Sequence, residues 1–514
     1  MRDCKGRFAP TPSGDMHIGN AFCYFLAWLS ARSQSGRIVL RFEDCDRLRM
    51  QPEAVGQTMS DLEWLGLRWD EGPERGQTDG PYFQSCRTGI YDRVFEQLRA
   101  RGLIYPCFCS RQDVRLAAAP QLGWSDFSPA VVLLGILLLV WGTLRVARYG
   151  GSPAVPSIVL TLLGIGMALQ FRVGTLRLER FDSPSQAALP LGVLAMLGAY
   201  LALRHRRIDR LEKAWVGFVA AAVLVIAGVV VVGHGFRGAK FLAGGINPVE
   251  IVKPLLVLGI AAVLAGHRRL LRRGFLGIPL PPLNIVVTIA LVWVLPMLLL
   301  VAQGDFGMFA LMNATLLVML YAVTNRSLYL VGGLAALVGL AAALIPLTRR
   351  GRMRLDAWRN PFLEANDAGW QPLQALVALY SGGLFGTGFG AGSPGAVPIV
   401  ESDFVFVVVG EELGFAGCAA ILLLYAALVF SGMRVASRAG GAYASCVAAG
   451  LTACLGLQTL MNVGGVVKAI PLTGIPLPLL SHGGSSLVAT LLMAGLLLAI
   501  SDERPPPAPA AAAV

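Results

Sequence analysis

Charged side chains are scarce in this chain. Asp, Glu, Lys and Arg make up 14% of its 514 residues, against about 25% in soluble domains. With 55% hydrophobic residues, that deficit excludes one globular core as the home of all the apolar surface. It points to many segments that live in lipid. The nine cysteines show no spacing that suggests a disulfide framework: six lie before residue 110, and Cys418, Cys446 and Cys454 fall in apolar runs. The opening MRDCKGRFAP lacks the apolar core of a secretory signal, so none is expected. Residues 1–128 carry no net charge, with 16 basic and 16 acidic side chains, so the whole formal +12 sits further on. Beside apolar spans, a basic excess marks cytoplasmic loops rather than a nucleic-acid surface.

What is present falls into two unlike parts. Residues 1–118 read as soluble α/β. An apolar helix pattern over Ala21–Ser33 precedes a short strand pattern, Gly36–Asp46, that ends in acids. Glu53–Leu65 and Tyr91–Arg101 have amphipathic helical spacing. This is how a doubly wound fold begins. After Trp124, beyond a junction at 119–128, apolar runs follow near 129–147, 154–172, 185–204, 214–233, 247–266, 284–302, 305–323, 328–347, 404–430, 441–465 and 484–500. Each is long enough, or nearly so, to cross about 30 Å of hydrocarbon as a helix. The expected class is mostly α: a polytopic helix bundle of about eleven spans over 129–501. A disordered Pro/Ala tail is expected at 502–514. The loops holding Arg145 and Arg148, Arg206 to Lys213, Arg268 to Arg273, and Arg434 and Arg438 fall on one side if every run crosses. That side is assigned to the cytoplasm, which puts the long loop 348–403 and residue 1 outside.

Three stretches of the membrane part exceed the needs of spanning. In GGINPVEIVKP, Glu250 and Lys253 stand three apart at the head of an apolar helix and share a face. Ionisable groups there face a cavity or each other, which leaves a structural pair and a functional one both open. The second stretch runs from Gln371 to Glu412 and is rich in glycine. Asp403, beside Glu401, stands at the mouth of a helix. A carboxylate there can act as general base toward a sugar hydroxyl, or simply complement the helix terminus. The third is NVGGVVKAIPLTGIPLPLLSHGGSS (462–486), where Pro471, Pro476 and Pro478 argue against a continuous helix. Non-helical backbone at this depth lines a cavity or is buried in protein. His482 is a candidate ligand here, or a histidine satisfied by its neighbours.

GGLFGTGFG followed by ESDFVFVVVGEELGFAG, IPLTGIPLPLLSHGGSS, NPVEIVKP and QGDFG (303–307) together resemble the motifs of the SEDS cell-wall glycosyltransferases, the FtsW/RodA/SpoVE type. They occur in family order across most of the membrane part. The resemblance implies polymerisation of the lipid-linked disaccharide lipid II on the outer face of the cytoplasmic membrane. It implies a class B penicillin-binding protein as partner, in division or elongation. It gives Asp403 the position of the family's essential aspartate, and Glu250 and Lys253 that of an interacting pair in the core cavity. Basic groups or a divalent cation would balance the pyrophosphate, with Lys468, Arg349 and Arg350 as unranked candidates. Two departures, NPVE for QPSE and SHGGSS for SYGGSS, bear on rate rather than fold.

GRFAPTPSGDMHIGNA (6–21), RFEDCDRLR (41–49) and PCFCS (106–110) resemble a class I glutamyl-tRNA synthetase, in particular the short paralogues that glutamylate queuosine on tRNA-Asp. By family position His17 and Gly19 would contact ATP, and Arg7, Ala9, Thr11 and Glu43 would bind glutamate. Cys107 and Cys109 match half of a zinc site, which needs four ligands; the expected tyrosine and cysteine are replaced by LAAAPQLGW. The lysine loop of the KMSKS type and the second half of the nucleotide-binding fold do not follow. The part therefore reads as a truncated Rossmann-type fragment without activity, for which ATP, zinc and tRNA-Asp would matter only if it were active. The rival readings are a tRNA-glutamylating enzyme with a membrane tail, and a non-catalytic flippase or scaffold. The chain reads as two truncated pieces joined by natural deletion or by an assembly error. An uninterrupted frame across codons 110–130 in a long sequencing read would exclude the latter.

Overall fold

The computed structural model describes residues 5–12, 14, 16, 18–45, 50–75, 80–101, 124–174, 184–205, 207–236, 239–241, 247–273, 283–344, 349–362 and 369–502. The chain divides into two compact units, Met1–Gln121 and Leu122–Val514.

In the first unit, β1 (Lys5–Phe8) and β2 (Arg37–Leu40) pair in parallel, from Lys5 opposite Arg37 to Phe8 opposite Leu40. Parallel neighbours need a crossover, and α1 (Ile18–Ser33) supplies it. α2 (Pro52–Trp64) starts on a proline, whose missing N–H is unneeded in a first turn. These elements close on a small core of Phe8, Ala31, Ile38, Leu40, Phe42, Leu62, Leu67 and Trp69. α3 (Thr88–Ala100) buries none of its side chains. The helices and the strand fall where the spacing predicts them, although the strand pattern beyond Leu40 continues only as single bridges such as Phe42 to Phe83.

Asp44 ties this unit together. Its carboxylate accepts the Ser85 backbone N–H at 2.8 Å and the Ser85 hydroxyl at 2.5 Å. Burial works to raise the Asp44 carboxyl, but the Ser85 hydrogen bonds outweigh it and hold the group below the usual carboxylate range. A depressed folded-state value stabilises the fold above the unfolded value and is lost as pH falls through the folded one. Limited proteolysis of this unit in the full chain is therefore expected to begin on acidification below about pH 4. Ser85→Ala, which removes the hydroxyl but not the N–H, should move the onset to higher pH. An unmoved onset would mean that another group sets it.

The second unit is helical. In order come α4 (Trp124–Val146), α5 (Ala154–Val173), α6 (Pro184–Leu203), α7 (Trp215–Val232), α8 (Val252–Gly266) and α9 (Arg268–Arg273). Then follow α10 (Leu283–Gln303), α11 (Phe306–Thr324), α12 (Ser327–Leu344), α13 (Arg349–Arg359) and α14 (Trp370–Ser381). α15 (Val405–Arg438), α16 (Ala442–Val466) and α17 (Gly484–Ser501) complete the unit. Helices thus occupy all eleven apolar segments. Among the described residues eight are long and apolar enough to cross a membrane, and three more carry shorter apolar stretches, Ala130–Val146, Ala187–Leu203 and Ser327–Ala342. Two helices, α13 and α14, give the loop 348–403 a structure of its own.

Helices in lipid gain little from hydrophobicity against each other, so close approach through small residues takes over. α17 lies against α6 at this range: a Cβ on Gly495 would stand 2.3 Å from the Met196 carbonyl oxygen, and one on Gly192 2.7 Å from Leu491. α8 is buried along nearly its whole length, from Val252 to Leu264. Asp502, which the sequence places at the head of the tail, is an anchor instead. It is buried, accepts the Tyr200 hydroxyl at 3.0 Å and the Gly150 N–H at 2.7 Å, and so ties the end of α17 to the α4–α5 turn. The rest of the tail lies outside the described residues, as do His17, Cys107, Cys109 and residues 119–123 of the junction, whose remainder begins α4.

Candidate functional site

Two segments without α-helix, 382–404 and 467–483, meet in the second unit: the His482 N–H donates to the Glu401 carbonyl at 2.7 Å. The first is docked through a break in α15 at Gly414, which has φ 67 and ψ −167. Past that break the Phe415 and Ala416 N–H groups leave their own helix and donate to the carbonyls of Gly383 and Leu384. The carbonyls of Glu411 and Glu412, freed in turn, accept from Thr387 and Gly388. Backbone pairing inside the helix has been exchanged for pairing with the loop, so these four backbone groups keep partners. The glycines permit the contact: a Cβ on Gly382 would fall on the Gly410 carbonyl, and one on Gly386 on that of Glu412.

Side chains complete the docking. Arg172 at the end of α5 pairs with buried Glu412 at 3.0 Å and donates to the carbonyls of Gly390 and Gly392. Glu412 also accepts from the Gly390 N–H, and Glu411 from that of Ser393.

The second segment has no helix between Val466 and Gly484, as its prolines predict. Six of its carbonyls are held by side chains. Gln458 donates to Pro476, Asn462 to Ile475, Gln170 to Leu480, Tyr425 to Pro478, Trp358 to Lys468 and Arg354 to Thr473.

Asp403 sits at the meeting of the two segments, half-buried. Its Oδ1 accepts the Ser402 hydroxyl at 2.9 Å, and Asn462 donates to its backbone carbonyl at 2.9 Å. It is not the helix cap: the N-cap of α15 is Phe404, which takes no side-chain cap bond. Across from it stands Arg354 of α13. A Cβ on Gly474 would lie 3.7 Å from Asp403 Oδ2 and 3.6 Å from Arg354 Nη2. A carboxylate and a guanidinium thus line one gap left by an absent side chain.

Glu250 and Lys253 form an ion pair at 2.5 Å, and Lys253, fully buried, donates to Gln458 Oε1 at 2.8 Å. Since Gln458 also holds the Pro476 carbonyl, the pair supports the second segment from below. Asp305 lies within electrostatic reach of Glu250, Lys253 and Arg354, which joins the pair to the Asp403 region.

Sequence reasoning singled out Asp403, Glu250 and Lys253, and the structure links all three through 467–483. It missed Arg354, Gln458, Arg172 and Glu412. Of its cations, Lys468 contributes a backbone carbonyl to Trp358, while Arg349 and Arg350 open the helix that carries Arg354. In the first unit Glu43 draws in two arginines, Arg7 at 3.8 Å and Arg41 at 3.5 Å. Ala9 and Thr11 follow β1, and Gly19 lies in the first turn of α1. Among the described residues no three His, Cys, Asp or Glu side chains come together as a metal site.

Comparison with known proteins divides the chain in the same way. The cell cycle protein family FtsW/RodA/SpoVE matches residues 153–505, and the catalytic domain of class I tRNA synthetases (E and Q) matches residues 3–122. The peptidoglycan glycosyltransferase RodA of Mycobacterium leprae is 30% identical over 398 residues, 76% of this chain and 83% of that protein. The stage V sporulation protein E of Bacillus subtilis is 34% identical over 291 residues, 55% of this chain and 76% of that protein. A chain from a structure described as structural coordination of polymerization and crosslinking by a peptidoglycan synthase complex superposes with a TM-score of 0.55 at 26% identity, covering 68% of this chain and 98% of that one. The glutamyl-Q tRNA(Asp) synthetase of Symbiobacterium thermophilum is 50% identical over 125 residues, 24% of this chain but only 39% of that protein. With the family model matching residues 153–505 and the helices in the family arrangement, this chain is a multi-pass membrane protein that belongs to the FtsW/RodA/SpoVE family, with a class I synthetase-like segment before it in sequence.

Proposed function

We propose that the second unit is a peptidoglycan glycosyltransferase, which polymerises lipid II on the outer face of the cytoplasmic membrane beside a class B penicillin-binding protein. The observation that carries this reading is Asp403, half-buried where the two segments meet, its carboxylate accepting the Ser402 hydroxyl and its backbone carbonyl held by Asn462. In the reaction an acceptor 4-hydroxyl attacks the anomeric carbon of the lipid-linked donor. The new C–O bond forms as the bond to the pyrophosphate breaks. Asp403 takes or orients the hydroxyl proton, and undecaprenyl pyrophosphate leaves with the bonding pair. Relatives named peptidoglycan glycosyltransferases support the reading.

The test is labelled lipid II given to the purified chain, with and without a class B partner. Glycan chains are expected. Movement of lipid II across a bilayer without polymer would favour a flippase, and neither result would favour a scaffold. Gly474→Ala probes the gap itself. Alanine at φ +72 costs roughly 1–2 kcal/mol, and its methyl would sit between carboxylate and guanidinium. Loss of polymerisation well beyond the loss of stability is expected; an unimpaired rate would move the reaction elsewhere.

The first unit spans about two-fifths of the synthetase it matches, and we infer that it does not activate glutamate. No glutamate-dependent exchange of pyrophosphate into ATP is expected from the full chain. Exchange above background would overturn this and bring His17, Gly19, Arg7 and Glu43 back as a working site.

A further inference from the structure

We propose that Arg354 is the diphosphate-binding residue of the second unit, holding the pyrophosphate of the lipid donor while Asp403 faces the acceptor hydroxyl. The proposal deepens the glycosyltransferase reading and rests on it.

The argument begins with α13, RRGRMRLDAWR, a helix with a single acid. Residues three and four apart on a helix share a face. Arg354 and Trp358 are such a pair, and both reach the same segment: Trp358 Nε1 donates to the Lys468 carbonyl at 3.0 Å, and Arg354 Nη1 to that of Thr473 at 3.3 Å. The helix therefore rides on residues 468–474 and carries one guanidinium to the edge of Gly474. Arg352 and Arg359, off this face, are exposed.

Chemistry asks for a cation at this place. A carboxylate alone repels a diphosphate, and the repulsion grows as the leaving oxygen gains charge. Lys253, a buried cation of this unit, is already committed to Glu250 and Gln458. Arg354 differs from Lys253 in two ways. It is exposed, so an incoming ligand can reach it, and a guanidinium offers five donors in a planar fork that matches phosphate oxygens. The Thr473 carbonyl orients the fork without consuming it. In the transfer, the anomeric carbon parts from the phosphate oxygen, and the negative charge that appears on the departing pyrophosphate is met by Arg354.

A strut that only holds the Thr473 carbonyl is the competing role, and selectivity separates the two. The purified full chain is titrated with undecaprenyl pyrophosphate and with undecaprenol, and the ratio of the two affinities is read for the native chain, Arg354→Gln, Arg354→Lys and Arg352→Gln. A ratio is insensitive to the fraction of protein that has folded. The native chain should prefer the pyrophosphate. Arg354→Gln should lower that preference about tenfold or more, Arg354→Lys should restore part of it, and Arg352→Gln should leave it in place. A native ratio retained by Arg354→Gln, or an equal fall in Arg352→Gln, would overturn the proposal. Polymerisation by the same native preparation keeps the two ideas apart. Polymer with an Arg354-independent ratio sinks this inference alone, whereas a native chain that makes no polymer with its partner sinks the reading beneath it.

Discussion

Replacement of Asp403 by asparagine is expected to lower glycan polymerisation by about 10²–10⁴-fold, the loss usual for a positioned general base, while the protein stays folded. Both halves of that expectation come from the geometry. The amide oxygen of asparagine can still accept the Ser402 hydroxyl, and Asn462 holds the backbone carbonyl of residue 403 whatever its side chain. What disappears is the capacity to take a proton. If the carboxylate served only the α15 terminus, the variant would lose about 0.3–1 kcal/mol of stability and keep its rate. Thermal unfolding and polymerisation rate, measured on one preparation, decide between the two.

Lys253→Met is expected to destabilise the fold of the second unit by about 3–5 kcal/mol. It leaves the Glu250 carboxylate buried without its cation and removes the donor to Gln458. Gln458 in turn positions the Pro476 carbonyl, so the disturbance should reach the segment that carries Gly474. Adding Glu250→Leu removes the orphaned charge and should recover much of the lost stability without recovering activity. Recovery of neither would mean that the lysine matters through packing. A single variant as stable as the native chain would mean that the pair is not buried in the working protein.

Much of this molecule is legible in its sequence because hydrophobic runs in lipid have few alternatives to helix. Pro471, Pro476 and Pro478 announce the non-helical segment because proline removes backbone donors. The break at Gly414 is harder to read. One glycine inside an apolar run looks like many others, and only the loop glycines Gly382 and Gly386, seen in contact, explain why α15 gives up its own hydrogen bonds there. Asp403 was legible as a residue but not in its role, since a carboxylate beside a helix start reads equally as a cap. The structure places the cap at Phe404. Arg354 and Asp502 were hidden for a shared reason. Each looks like ordinary surface charge until partners more than one hundred residues away in sequence, Thr473 for one and Tyr200 for the other, are brought beside it.

The central claim is glycosyl transfer at the Asp403 site, and the count of undecaprenyl pyrophosphate released per disaccharide added tests it most directly. The purified native chain, supplied with a class B penicillin-binding protein, should release one molecule for each disaccharide that enters the glycan, and Asp403→Asn should release almost none. Release by both proteins at similar rates would contradict the assignment of the carboxylate. No release from a folded native chain would contradict the claim of glycosyl transfer itself.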